Sequence, residues 1–179
     1  QHQNMIHPVS SNSGGSSMRV VDYDSDGYSF YYDAFPSINT QNSDIDSDGF
    51  GDNAQGFQGD SCPNVFGNST IDYFGCVDAD GDGYSYITDA FQTDDTQWSD
   101  VDGDGYGDNA SGNRADDCPL TFGESNKNNT LGCVDSDLDG WADSDDYFDN
   151  ESSQWLDTDN DGFGDEFLGF QGDGCKLVA

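Results

Sequence analysis

Asp78-Ala79-Asp80-Gly81-Asp82-Gly83-Tyr84 places carboxylates at every second position and a glycine after the third. A regular strand or helix cannot aim all three acids at one centre, whereas a backbone curled around a hard cation can. Calcium takes about six to eight oxygen ligands. Its best-known loop uses side chains at positions 1, 3 and 5, a glycine at 6, a backbone carbonyl at 7 and an acid at 12. Asp78, Asp80, Asp82, Gly83, the Tyr84 carbonyl and Asp89 fill that template without a gap.

Five more copies of D-x-D-x-D-G open at Asp22, Asp44, Asp100, Asp135 and Asp157. They add the acids Asp24, Asp26, Asp46, Asp48, Asp102, Asp104, Asp137, Asp139, Asp159 and Asp161 to the expected ligands. Position 7 is aromatic in all six loops: Tyr28, Phe50, Tyr84, Tyr106, Trp141 and Phe163. Its carbonyl is expected to face the ion, leaving the rings to join Phe35, Phe91 and Phe148 in a thin apolar spine.

The loops repeat with a long period, which decides the architecture before any local element does. Asp22, Asp78 and Asp135 are spaced by 56 and 57 residues, and Asp44, Asp100 and Asp157 each follow 22 residues later. The expected organisation is an arm or linker over 1–19, modules over 20–76 and 77–133, and a shorter module over 134–179. In each module the first loop carries an acid at position 12 (Asp33, Asp89, Asp146), and the one at Asp135 also has Asp143 at position 9. The second loop has an acid at position 9 instead (Asp52, Asp108, Asp165), with Gln55, Ser111 or Leu168 at position 12. Its missing ligand is assigned to Asp60, Asp116 or Asp173, each 16 residues after the loop start, in the same or an adjacent loop.

The chain has 37 acidic residues against 4 basic ones, a net charge of −33, and only 32% hydrophobic residues. Without metal, that composition reads as a disordered chain repelled by its own charge. Six divalent ions would offset 12 of those charges and leave −21. Metal would then replace a core, and binding and folding become one equilibrium. The expected fold is mostly irregular: an elongated, calcium-stabilised repeat with no large hydrophobic core. Glycine (23 residues), Asp and Asn favour turns throughout, allowing at most two-residue bridges and single helical turns.

Four scattered cations offer no nucleic-acid footprint. No apolar run is long enough to cross a bilayer as a helix. The opening on Gln1 rather than Met reads as a mature chain whose export signal has been removed. Extracellular loops of this kind bind calcium at about 10⁻⁴ to 10⁻³ M.

Cys62, Cys76, Cys118, Cys133 and Cys175 read as a disulfide framework. Cys62 with Cys76 and Cys118 with Cys133 close similar loops at matching places, and these pairings are favoured among the three that four cysteines allow. Zinc is the alternative, but no C-x-x-C pair occurs and both histidines lie in the arm. Cys175 stands where Cys62 and Cys118 stand, with no partner after it. One expectation is that the arm of one protomer completes the third module of its neighbour, a head-to-tail contact that builds a filament. The rival is a fragment of a longer surface protein. N-x-S/T sequons occur at Asn68, Asn109, Asn128 and Asn150, of which Asn68 and Asn128, in the cysteine-closed loops, are the glycosylation candidates.

Over 20–175 these residues resemble thrombospondin type 3 repeats. Asp89-Ala90-Phe91 followed by Trp98-Ser99-Asp100, and Phe35-Pro36, are similar to the version found in bacterial and archaeal surface proteins. Gln41, Gln97 and Gln154 depart from it where an acid is common, and Asn42 replaces the Trp. The resemblance implies a calcium-filled wrap serving as a rigid extracellular spacer or stalk. A calcium-dependent adhesin or dockerin-like module is the alternative, although segments such as Phe35–Asn42 lack the apolar helical stripe of a dockerin. An enzyme is not expected: the carboxylates sit in metal loops, and no histidine, nucleophile elbow or phosphate loop accompanies them.

Overall fold

The computed structural model describes residues 21–178, so the arm at 1–19 lies outside the described residues. Among them there is no helix. The one sheet is a hairpin of β1 (Asn126–Lys127) and β2 (Thr130–Leu131), in register Asn126 with Leu131 and Lys127 with Thr130. Asn128 and Asn129 turn it at φ 56° and 59°, a pair of left-handed residues that asparagine tolerates and that matches the twist of two short strands. The fold is therefore mostly irregular. Two compact units divide between Ile87 and Thr88.

What replaces regular structure is a repeated turn. Each D-x-D-x-D-G loop is closed at its base by one backbone bond, from the N–H of position 9 to the carbonyl just before position 1. The six donors are Phe30, Asp52, Tyr86, Asp108, Asp143 and Asp165, at 2.8–3.0 Å. Inside the loop, positions 4 and 6 both take positive φ. Position 6 is always glycine, at 90–99°. Position 4 is Ser25, Ser47, Gly81, Gly103, Leu138 or Asn160, at 61–91°. Two left-handed residues two apart wind the chain tightly enough to bring every second side chain to one centre.

Each second-type loop continues into a return turn. An isolated parallel bridge pairs Gly51 with Gly59, Gly107 with Ala115, and Gly164 with Gly172. The N–H of Asp60, Asp116 or Asp173 then donates to the carbonyl of Gly51, Gly107 or Gly164, at 2.7–2.9 Å. In the first and second of these places the chain goes on into a disulfide-closed segment, Cys62–Cys76 and Cys118–Cys133. That segment clasps the next first-type loop: Thr70 and Ile71 donate to Gly83 O, and Asn126 and Lys127 to Gly140 O.

Burial follows the same plan. Among the described residues the buried apolar side chains are Cys76, Tyr106, Cys133 and Ala142, while the bulkiest of the fully buried ones are Gln41, Gln97 and Gln154. The position-7 rings pack locally. Phe50 meets Phe74 at 5.9 Å, Trp141 stacks on Trp155 at 6.1 Å, and the Arg114 guanidinium lies 4.8 Å over Tyr106. Tyr28 and Phe163 keep 38% and 48% of their surface exposed, so the expected apolar spine does not run through these two positions.

Candidate metal centres

The first Asp of each loop is spent on the turn itself. Its Oδ1 accepts the N–H of position 4 at 2.7–2.8 Å and its Oδ2 accepts the N–H of position 6 at 2.7–3.1 Å, in all six loops. The third acid is held by the N–H of position 7, at 2.8–2.9 Å, onto one oxygen. These bonds fix the first carboxylate by both oxygens and the third by one. As a result Asp22/24/26, Asp44/46/48, Asp78/80/82, Asp100/102/104 and Asp135/137/139 each present oxygens within 4.8 Å of one another, and such groups could hold metal ions.

The fit to a cation can be tested on the atoms left over. Buried oxygens with no hydrogen-bond donor remain on Asp24, Asp26, Asp80, Asp137 and Asp139 in the first-type loops. In the second-type loops they remain on Asp46, Asp102 and Asp159. On Asp46 and Asp159 neither oxygen has a donor in good geometry, the nearest being the N–H groups of Asp48 and Val65 and of Asp161 and Val178. Burying a carboxylate oxygen without a donor is costly, and a positive ion among such oxygens would offset that cost. The donors are all oxygen, which suits a hard cation and not a thiol- or imidazole-seeking metal.

The acids expected to close the loops share one local bond. Asp33, Asp89 and Asp146 each accept, on Oδ1, the N–H two residues on, at 2.7 Å. Asp60, Asp116 and Asp173 do the same at 2.5–2.6 Å. Oδ2 of the latter three is buried and unpartnered. Sequence alone left open which loop these three serve, and the structure puts Asp60 beside Asp48, Asp46 and Asp52, and Asp116 beside Asp104, Asp102 and Asp108. Asp173 likewise faces Asp159, so all three lie beside the loop that precedes them in the chain. Gly75 and Gly132 press their backbone on the first two, where a Cβ would meet the Asp60 or Asp116 Oδ1 at 2.3 or 2.2 Å.

Burial, ahead of the neighbouring charges, pushes Asp60 and Asp116 above the usual carboxylate range, against the lowering effect of the Cys62 or Cys118 N–H. Burial likewise raises Asp33, beside Asp26, Asp24 and Asp22, and Asp146, beside Asp139 and Asp137. Asp46, Asp137 and Asp159 move the same way for the same leading cause.

The position-9 acids are hydrogen-bonded within their loops. Both oxygens of Asp165 accept from Thr158, N–H at 3.1 Å and hydroxyl at 2.6 Å, and the hydroxyl bond holds its carboxyl below the usual range. Asp143 takes the N–H and hydroxyl of Ser136, each at 2.7 Å. Asp108 takes the Val101 N–H and the Ser99 hydroxyl, and Asp52 the Ile45 N–H. These acids brace position 2 across the loop, and of the four only Asp52 keeps a buried free oxygen.

Cys62–Cys76 and Cys118–Cys133 are the disulfides expected, which leaves those four thiols no part in zinc, and Cys175 is an exposed thiol. Two disulfides fit an oxidising compartment. Among the described residues no helix is long and apolar enough to cross a membrane. Asn68 and Asn128 are exposed, whereas Asn109 is half-buried with its amide donated to Thr96 O at 2.8 Å.

No family model matches the chain, and no curated protein is similar to it.

One set of residues was visible in the sequence only as a departure from the resemblance, and its structural role was missed. Gln41, Gln97 and Gln154 stand three places before each second-type loop, each 1% exposed. Their amides are engaged with the return turn. The available signal was a coincidence of spacing: a glutamine at −3 always accompanied by glycines at positions 8 and 13 (Gly51 and Gly56, Gly107 and Gly112, Gly164 and Gly169).

Proposed function

We propose that the six loops hold calcium, at least one ion each, and that the chain is an extracellular structural protein of the thrombospondin type 3 repeat kind. One observation carries this: in every loop the position-3 carboxylate (Asp24, Asp46, Asp80, Asp102, Asp137 or Asp159) keeps a buried oxygen that no protein donor satisfies. Calcium supplies the positive charge and the coordination that such oxygens lack, and it prefers this hard, flexible, all-oxygen set over the tight octahedron that magnesium demands. The protein then works as a rigid rod whose loops are set by ions, and its carboxylates are ligands, not acids and bases of a reaction.

The same proposal extends to assembly. The arm at 1–19 of one protomer docks on the third module of the next and builds a head-to-tail filament on or shed from a cell surface, with glycans at Asn68 and Asn128. Neither nucleic acid nor insertion into a membrane belongs to this function. Counting bound ions by equilibrium dialysis at millimolar calcium tests the core of it. Six or more per chain is the expected result, and fewer than six refutes a site in every loop. Sizing an arm-deleted chain in calcium tests the assembly, since filaments that survive the deletion exclude the arm.

A further inference from the structure

We infer that Gln41, Gln97 and Gln154 are positioning residues for the metal: each pins the return turn that delivers Asp60, Asp116 or Asp173 to its loop, without itself touching the ion. This rests on the proposal that the second-type loops hold calcium.

In the second module, Gln97 Nε2 donates to Asn109 O at 3.0 Å and to Asn113 O at 3.1 Å, and its Oε1 accepts the Asn109 N–H at 2.9 Å. Gln41 makes the same three bonds to Asn53 and Phe57, and Gln154 to Glu166 and Phe170, at 2.9–3.1 Å. Both N–H donors of each amide are thereby used and the oxygen faces a backbone donor. The chain leaves no side-chain room beside it. A Cβ at Gly107 would meet Gln97 Cδ at 2.1 Å, and one at Gly112 would meet its Nε2 at 2.5 Å. The pinned turn runs directly into the bridge of Gly107 with Ala115 and then to Asp116, whose N–H is tied to Gly107 O at 2.9 Å. Asp116 Oδ1 is fixed by the Cys118 N–H, so Oδ2 alone remains for a ligand. A glutamate in place of Gln97 would set its oxygens against the carbonyls of Asn109 and Asn113, which accounts for an amide here.

Partners that hold a metal ligand from outside typically change affinity by about 10- to 100-fold when removed. The test is a calcium chloride titration of the full chain followed by amide NMR. The glycine at position 6 of each loop reports its own site, because its N–H donates to the first Asp, as Gly105 does to Asp100 at 3.0 Å. Gln97→Met keeps the volume and removes the three bonds. The expected result is a Gly105 midpoint raised about 10- to 100-fold with the Gly140 midpoint unmoved. In an Asp116→Asn background, where the delivered ligand has lost its charge, Gln97→Met should add less than about twofold, the mark of a residue acting through another. A Gly105 midpoint unchanged by Gln97→Met, or an effect of full size in the Asp116→Asn chain, overturns the inference. So does loss of every loop resonance in both Gln97→Met and Gln154→Met, which would make the glutamine a residue of general folding. A wild-type Gly105 amide indifferent to calcium would instead defeat the calcium assignment beneath it.

Discussion

Cutting one disulfide should weaken one calcium site and spare its neighbour. Cys118 and Cys133 are 15 residues apart, and a cross-link closing a loop of that length stabilises by about 3 kcal/mol through the unfolded chain. Gly132, next to Cys133, lies against the Asp116 and Asp104 carboxylates, where a Cβ would come within 2.2 and 2.9 Å. The Gly123 N–H also donates to Asp104 Oδ2 at 3.2 Å. The cross-linked segment thus forms one wall of the loop at Asp100, and because folding and binding are coupled its loss appears as lost affinity. At about 1.4 kcal/mol per tenfold, 3 kcal/mol bounds the change in the Gly105 calcium midpoint at roughly 100-fold for Cys118→Ser with Cys133→Ser. The loop at Asp157 carries no such cross-link, and Cys175 is a free thiol. Its Gly162 amide should titrate as before. A Gly105 midpoint that does not move, or a Gly162 midpoint that moves as far, would refute the assignment of the disulfide to that wall.

Other expectations follow from single residues. Asp33→Asn should lower calcium affinity at the loop of Asp22 by on the order of tenfold, since affinity follows ligand charge. A calcium titration of the full chain reads the change. The pH response should also reverse with calcium. Asp33, Asp60, Asp116 and Asp146 are raised above the unfolded value of 3.8, so in chelator their contribution is fully present below that pH and is lost as pH rises through the folded values. With calcium bound the carboxylates must stay ionised, and order should fall as pH drops toward 4; near-UV circular dichroism from pH 3 to 7 in both conditions reads the difference. Gly105→Ala meets no atom within 4 Å but sits at φ 92°, so it should cost about 1–2 kcal/mol through the backbone alone, read as a shift in denaturation midpoint.

Much of the site was legible because its chemistry is written at fixed spacing. Asp22 through Asp161 could be read as ligand sets from D-x-D-x-D-G, and Cys62 with Cys76 from the matching gap in the next module. Asp60 was visible as a recurrence but not as a member of one loop, because its delivery depends on a turn pinned by Gln41, twelve and sixteen residues from the backbone it bonds. The position-9 acids carry a second set of bonds that spacing does not announce. Asp108 and Asp165 were expected as ligands by composition, and their oxygens also accept from Ser99, Val101 and Thr158, partners that an acid-counting rule ignores. Position 4 was hidden for a different reason: its left-handed backbone is met by Gly81 and Gly103 but also by Ser25, Ser47, Asn160 and even Leu138, so no residue type marks it.

Limited proteolysis with calcium and after chelation tests most directly whether ions stand in for a core. The fold described here predicts a chain that resists a broad-specificity protease in millimolar calcium and is cut throughout once the calcium is removed. Equal resistance in the two conditions would contradict it.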